Sequence, residues 1–193
     1  MLSKTTSGCA TCVNARLAAL RPPSAREFKS GWISLAALLF PGLVLAVCLF
    51  WAAENHPRYE WLKQPPSHWP WEFWTMGLAG GIASIGGILD WSYHRWVARC
   101  KIGQAEKRLE LLAMGVGGGS MLTVMLNASI SDNPGRWLIP AMVVLMFTVS
   151  MICYDEFIYH RRRCTRWETL WHRILTGGMG VAWLGWAHWC FAR

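Results

Sequence analysis

Five predominantly apolar runs, at about 32–53, 72–89, 109–126, 137–154 and 170–192, constrain this chain more than any other feature. Each is long enough to cross a hydrocarbon core roughly 30 Å thick as a helix. Helix is the form such a run takes there, because it satisfies its own backbone hydrogen bonds where no water can reach them. The segments between the runs alternate in charge. The stretches 4–29, 95–108 and 161–173 hold five Lys and Arg each, fifteen of the nineteen; the others are Arg58, Lys63, Arg136 and Arg193. Basic loops stay on the cytoplasmic side of a membrane, which puts the N-terminus and both basic corners in the cytoplasm and residue 193 outside. The net charge of +8 is therefore topology, with anionic lipid contact as its consequence, and not the footprint of a nucleic-acid binder. Fourteen Trp, many of them flanking the runs, fit interfacial anchors. The expected class is an all-α integral membrane protein with five transmembrane helices and the lipid bilayer as its first partner.

Residues 1–31 read as a basic cytoplasmic arm, in which Arg21-Pro22-Pro23-Ser24 stops any helix running through it. About thirty polar and basic residues before the first apolar run leave no pattern of a cleavable signal peptide. Residues 32–193 form the five-span membrane domain. The seven cysteines are scattered without a disulfide framework. Cys9 and Cys12 make a lone CxxC in the arm, open to a zinc or redox role or to none. Pro41 and Gly42 suggest a kink in the first span. Residues 54–71, with prolines at 57, 65, 66 and 70, read as an interfacial segment that carries His56 and His68. Spans two and three are rich in glycine (Gly77, Gly80, Gly81, Gly86, Gly87, Gly115 and Gly117 to Gly119). Small residues of this kind let helix backbones approach closely in lipid.

Chemistry concentrates at the two basic corners. Tyr154 to Arg173 holds an acid and a histidine four apart twice, Glu156 with His160 and Glu168 with His172. On a helix such pairs share a face. The first corner repeats the pattern more loosely: Asp90 with His94, then Glu106 with Glu110, with Arg99-Cys100 corresponding to Arg163-Cys164. Two αα-hairpin repeats, about 72–126 and 137–192, run in the same sense through the membrane and so are parallel. Spans two to five then form a four-helix bundle that brings Asp90, His94, Glu106, Glu110, Glu156, His160, Glu168 and His172 to one cytoplasmic level. Five carboxylates and three imidazoles are the inventory of a dimetal bundle site. It suits iron or manganese better than zinc or copper. Reaching that level requires the helices to run one or two turns beyond the apolar runs.

The same residues have a plainer reading. Asp90 or Glu156 paired with Arg95, Arg161 or another arginine gives a salt-bridged cap, each pair contributing a few tenths of a kcal/mol. Asp155 points about 100° away from Glu156 around the helix and reads as a supporting or solvent-facing acid. His188, near the opposite interface, reads as a snorkelling or hydrogen-bonded histidine and not as a ligand.

The pieces DxxxH…ExxxE and DExxxHRRR…RWExxxH, spanning about 86–178 and carried by the eight residues above with Arg166 and Trp167, resemble uncharacterised bacterial multi-pass membrane proteins. That resemblance implies the bacterial inner membrane and brings no activity with it. Asp90 and His94 are also similar to the Asp-x-x-x-His start of the copper-binding subunit of membrane methane and ammonia monooxygenases. The next segment here offers Glu106 and Glu110 where that family has a His, a departure that tells against copper. Two kinds of function follow. One is a membrane metalloprotein, an oxidoreductase acting on a lipid or quinone. The other is a non-enzymatic transporter or accessory subunit whose corners form ion pairs or hold a partner. Almost no charge lies at mid-membrane depth in the spans, so a complete proton relay across them has little support.

Overall fold

Residues 25–93, 108–109, 112–160 and 166–193 are described by the structure, a computed structural model. They are helical throughout, with short connections, and no strand occurs among them. Helix α1 is Ala25–Asn55 and runs continuously through Pro41. Two 3-10 turns, Pro57–Lys63 and Pro66–His68, follow. Helix α2 is Trp71–Ser92. A π-helical stretch, Leu112–Gly118, leads into α3, Gly119–Ile130. Helix α4 is Leu138–Asp155 and continues as a π turn, Glu156–His160. Helix α5 is Arg166–Ala187 and ends in a second π turn, His188–Ala192. Around the second basic corner the helices outrun the apolar runs, α4 with its π turn reaching His160 and α5 starting at Arg166; at the first, α2 ends at Ser92 and residues 94–107 lie outside the described residues.

Among the described residues, two helical stretches, Leu112–Ile130 and Pro134–Ile158, are long and apolar enough to cross a membrane. A third is added if Leu39–Asn55 and Pro57–Lys63, bent by 102°, count as one broken span. Helices α2 and α5 have the length but dilute their apolar residues with glycine, alanine and polar groups. Helix α4 exposes Ile139, Val143 and Met146 at helical spacing. A continuous apolar stripe open to water is unusual in a soluble monomer, and lipid removes that penalty.

The most extensive contact among the described helices is α2 against α5. Small residues make it. A Cβ on Gly178 would stand 2.8 Å from the Ala79 carbonyl oxygen and 2.9 Å from Ala83 Cβ. One on Gly86 would meet Ile174 Cγ2 at 2.9 Å and the Leu175 nitrogen at 3.0 Å. Gly185 lies against the Glu72 carbonyl and Met76. The contacts run in one antiparallel register, residues 72–86 of α2 descending against 185–174 of α5. Helix α3 packs on α4, with the π stretch carrying Gly117 against Thr148, and α1 lies along α2 and α3. The strongest pairings are therefore α2 with α5 and α3 with α4, not the pairs α2–α3 and α4–α5 that the repeat would favour. Complementary small faces on α2 and α5 account for the first.

The buried core gathers at one end. Ala52, Tyr59, Val124, Ala128, Ala141, Trp186, Trp189 and Cys190 form it, with Trp61, Phe73 and Phe191 against them. Aromatic rings join the 3-10 segment to the end of α5: Tyr59 to Trp189 at 5.3 Å and Phe73 to Trp189 at 5.1 Å.

Adjacent glycines test the α2–α5 contact. Gly178→Ala forces two backbones apart and should cost about 1–3 kcal/mol. Gly177→Ala enters open space and should be neutral, or gain up to about 1 kcal/mol of helix propensity. Thermal unfolding in detergent should give a lower midpoint for the first only; the opposite order would refute the packing.

Candidate functional site

At the end of the molecule where α5 begins, three of the eight expected site residues have described side chains. Asp90 occupies the last turn of α2. The register that sets Gly86 beside Trp171 and Ile174 brings it level with the first turns of α5, where His172 stands. Glu156 opens the π turn after α4. Its Oε1 accepts two hydrogen bonds from Arg173, from Nε at 3.1 Å and Nη2 at 3.0 Å. Asp90, Glu156 and His172 thus come to one end of the fold. Among the described residues, no three of His, Cys, Asp and Glu are grouped to hold a metal ion. His94, Glu106 and Glu110 lie outside the described residues, and of His160 and Glu168 only the backbone is described.

The arginine described on Glu156 is Arg173 of α5, the last residue of the basic stretch 161–173; Arg95 and Arg161 lie outside the described residues. Arg173 ties α4 to α5 over a separation of 17 residues. Glu156 is 19% exposed, and its Oε2 is buried without a hydrogen-bond partner among the described residues. Asp155 departs from the solvent-facing alternative: it is buried, at 8% exposure. The α4 helix turns that side into the protein, opposite the exposed apolar stripe of Ile139, Val143 and Met146.

The opposite end holds a polar cluster that sequence reasoning passed over. Glu72, in the first turn of α2, is fully buried. Its carboxylate Oε1 accepts from His188 Nδ1 at 2.9 Å and faces Arg193 Nε at 3.8 Å. Oε2 is buried with no hydrogen-bond partner among the described residues. His188 leans on the Trp71 ring, centroids 5.1 Å apart, so it is hydrogen-bonded and half exposed, as its position near an interface suggested. Glu72 had served only to mark where span two begins. The available signal was a single carboxylate in a segment of prolines and tryptophans, with no cation nearby in sequence to neutralise it.

A second set of bonds ties the same end together through the end of α3. Trp186 Nε1 donates to Ser129 Oγ at 2.9 Å, and the Tyr59 hydroxyl donates to the Ser129 carbonyl at 3.3 Å. His56 Nε2 lies 3.2 Å from the Ile130 carbonyl, while its Nδ1 accepts from the Arg58 amide at 3.3 Å. That places His56 as a cap on the 3-10 turn; His68 pairs with Ser67. Arg58 donates to the Cys190 carbonyl at 3.2 Å and lies over the Trp189 ring at 4.5 Å. Burial pushes the Tyr59 hydroxyl from 10.0 up to about 12, against the opposing effects of its Ser129 bond and of Arg58.

Comparison with protein families, with curated proteins and with solved structures gives no match.

Two outcomes follow. His188→Ala strips the buried Glu72 of its closest donor and should destabilise by about 1–3 kcal/mol. Glu72→Gln, which keeps an acceptor, should cost less, and the double variant Glu72→Gln/His188→Ala should fall short of additivity. Strict additivity in thermal unfolding would mean that the two side chains do not interact. For Tyr59 the neutral form is favoured. Its contribution is therefore full below pH 10 and falls as the pH rises from 10 to about 12. Ultraviolet titration of the folded protein should show one late-ionising tyrosine that Tyr59→Phe removes; a titration with no late step would contradict the burial.

Proposed function

We propose that this chain is a multi-pass protein of the bacterial inner membrane that works without catalysis, as an accessory or structural subunit whose cytoplasmic corners are closed by ion pairs. The observation that carries this reading is Arg173 on Glu156, two guanidinium N–H groups on one carboxylate oxygen at 3.0 and 3.1 Å. A carboxylate so engaged holds two helices together and offers a metal only its other oxygen. In this reading all five long helices cross the bilayer, α2 and α5 by burying their small faces on each other. The N-terminus lies in the cytoplasm, and α2 to α5 form a bundle descended from two parallel hairpin repeats.

A second reading has a specific observation behind it. Glu156 Oε2 is buried without a hydrogen-bond partner among the described residues, at the same end as Asp90 and His172. With His94, Glu106, Glu110, His160 and Glu168 they would make the dimetal centre of an iron or manganese oxidoreductase acting on a lipid or quinone. Zinc and copper fit that carboxylate-rich set less well.

Metal analysis of protein purified without chelator separates the two. The structural reading expects folded, monodisperse protein without stoichiometric metal, and loss of stability in Arg173→Gln. About two equivalents of iron, manganese or zinc, lost in His160→Ala and kept in Asp155→Asn, would establish the metal centre instead. Reporters fused after Gly103 or Thr165 should read cytoplasm and one after Asn133 periplasm; a periplasmic reading at either corner would defeat both versions of a shared cytoplasmic end.

A further inference from the structure

The start of α5 carries a hollow that the ion pair between Arg173 and Glu156 fills only in part. A cavity of about 310 Å³ is lined by Arg166, Thr169, Leu170 and Arg173. These positions, three and four apart, share one face of the helix. That face points away from α2, because the small-residue contact uses Trp171, Ile174, Gly178 and Gly185. Two guanidinium groups and a hydroxyl around one hollow give its described lining a positive charge. Glu156 offsets it only in part. Arg173 places two of its five N–H donors on that carboxylate, and its side chain remains 69% exposed.

We infer that this cavity seats the phosphate of an anionic phospholipid of the cytoplasmic leaflet, an inference that rests on the membrane reading above. Guanidinium forks match phosphate oxygens in geometry as well as charge. Free phosphate shares that chemistry, and the surface running down from the cavity decides for a lipid. Below Leu170 the same face continues through Gly177, where a Cβ would meet nothing within 4 Å, to the exposed Val181 and Leu184. An apolar track leading from a cationic seat toward mid-membrane fits an acyl chain attached to the phosphate. The five basic residues within 161–173 raise the local density of anionic headgroups and so favour occupancy.

The test uses the full chain, reconstituted into vesicles of phosphatidylcholine with phosphatidylglycerol, re-extracted in mild detergent and read by native mass spectrometry. Wild-type protein should retain about one phosphatidylglycerol. Arg166→Gln should retain it about fivefold less, as expected for one arginine near the surface, and Arg136→Gln at the other end should match wild type. Arg166 is the chosen position because Arg173 also holds Glu156. Equal retention by wild type and Arg166→Gln overturns the inference, as does equal retention of phosphatidylcholine. Displacement of the lipid by excess inorganic phosphate would assign the cavity to the free anion and overturn the lipid seat. Flotation with pure phosphatidylcholine vesicles keeps the two proposals apart. Failure to float refutes the membrane reading, whereas flotation without phosphatidylglycerol retention refutes the seat alone.

Discussion

Everything in this fold depends on how closely α2 approaches α5. On the proposed membrane reading, helices gain nothing by hiding apolar surface from a solvent that is itself apolar, so association rests on backbone proximity and on polar groups that find each other. Ala79 and Ala83 against Gly178, Gly86 against Trp171 and Ile174, and Gly185 against Glu72 and Met76 supply the proximity. The register they set is what delivers Glu72 to His188 at one end and Asp90 to the first turns of α5 at the other. Side chains of ordinary size on that face would separate the axes and dissolve both meetings.

The two ends solve different problems with the same residue types. At the aromatic end a carboxylate is removed from solvent altogether, covered by His188, Arg193 and the tryptophans. Isolated ionised groups are too costly to bury, and neighbours that donate hydrogen bonds offset much of that cost. At the basic end Glu156 keeps partial access to solvent, and Arg173 holds it across the gap between α4 and α5. The first arrangement fixes structure. The second leaves the Arg173 guanidinium largely exposed.

Helix content and the positions of all five long helices were legible in the sequence, because apolar runs bounded by proline, charge and turn residues have few other ways to fold. The glycine faces were legible as packing surfaces but not as partners: composition marks Gly86 and Gly178 as small and says nothing of which helix each will meet. The acid–histidine corners drew attention by their density, while Glu72, a lone carboxylate, did not stand out. Yet Glu72 is the more deeply buried. Asp155 misled for a related reason, since the angle between neighbours on a helix shows that two side chains diverge and not which of them turns inward. The two hairpin repeats rest on spacing alone, and the dominant contacts join α2 to α5 instead.

The bond between Glu72 and His188 spans 116 residues of chain. At roughly 5–20 residues per second of synthesis, α2 waits about 6–23 seconds in its surroundings with a carboxylate that has not met its donor. During that interval its small face is likewise uncovered. A chain interrupted before α5 therefore leaves α2 with an uncovered small-residue face and an acid without its donor. Completion of α5 closes both at once, so the same packing that fixes the register also ties α2 to the last helix made.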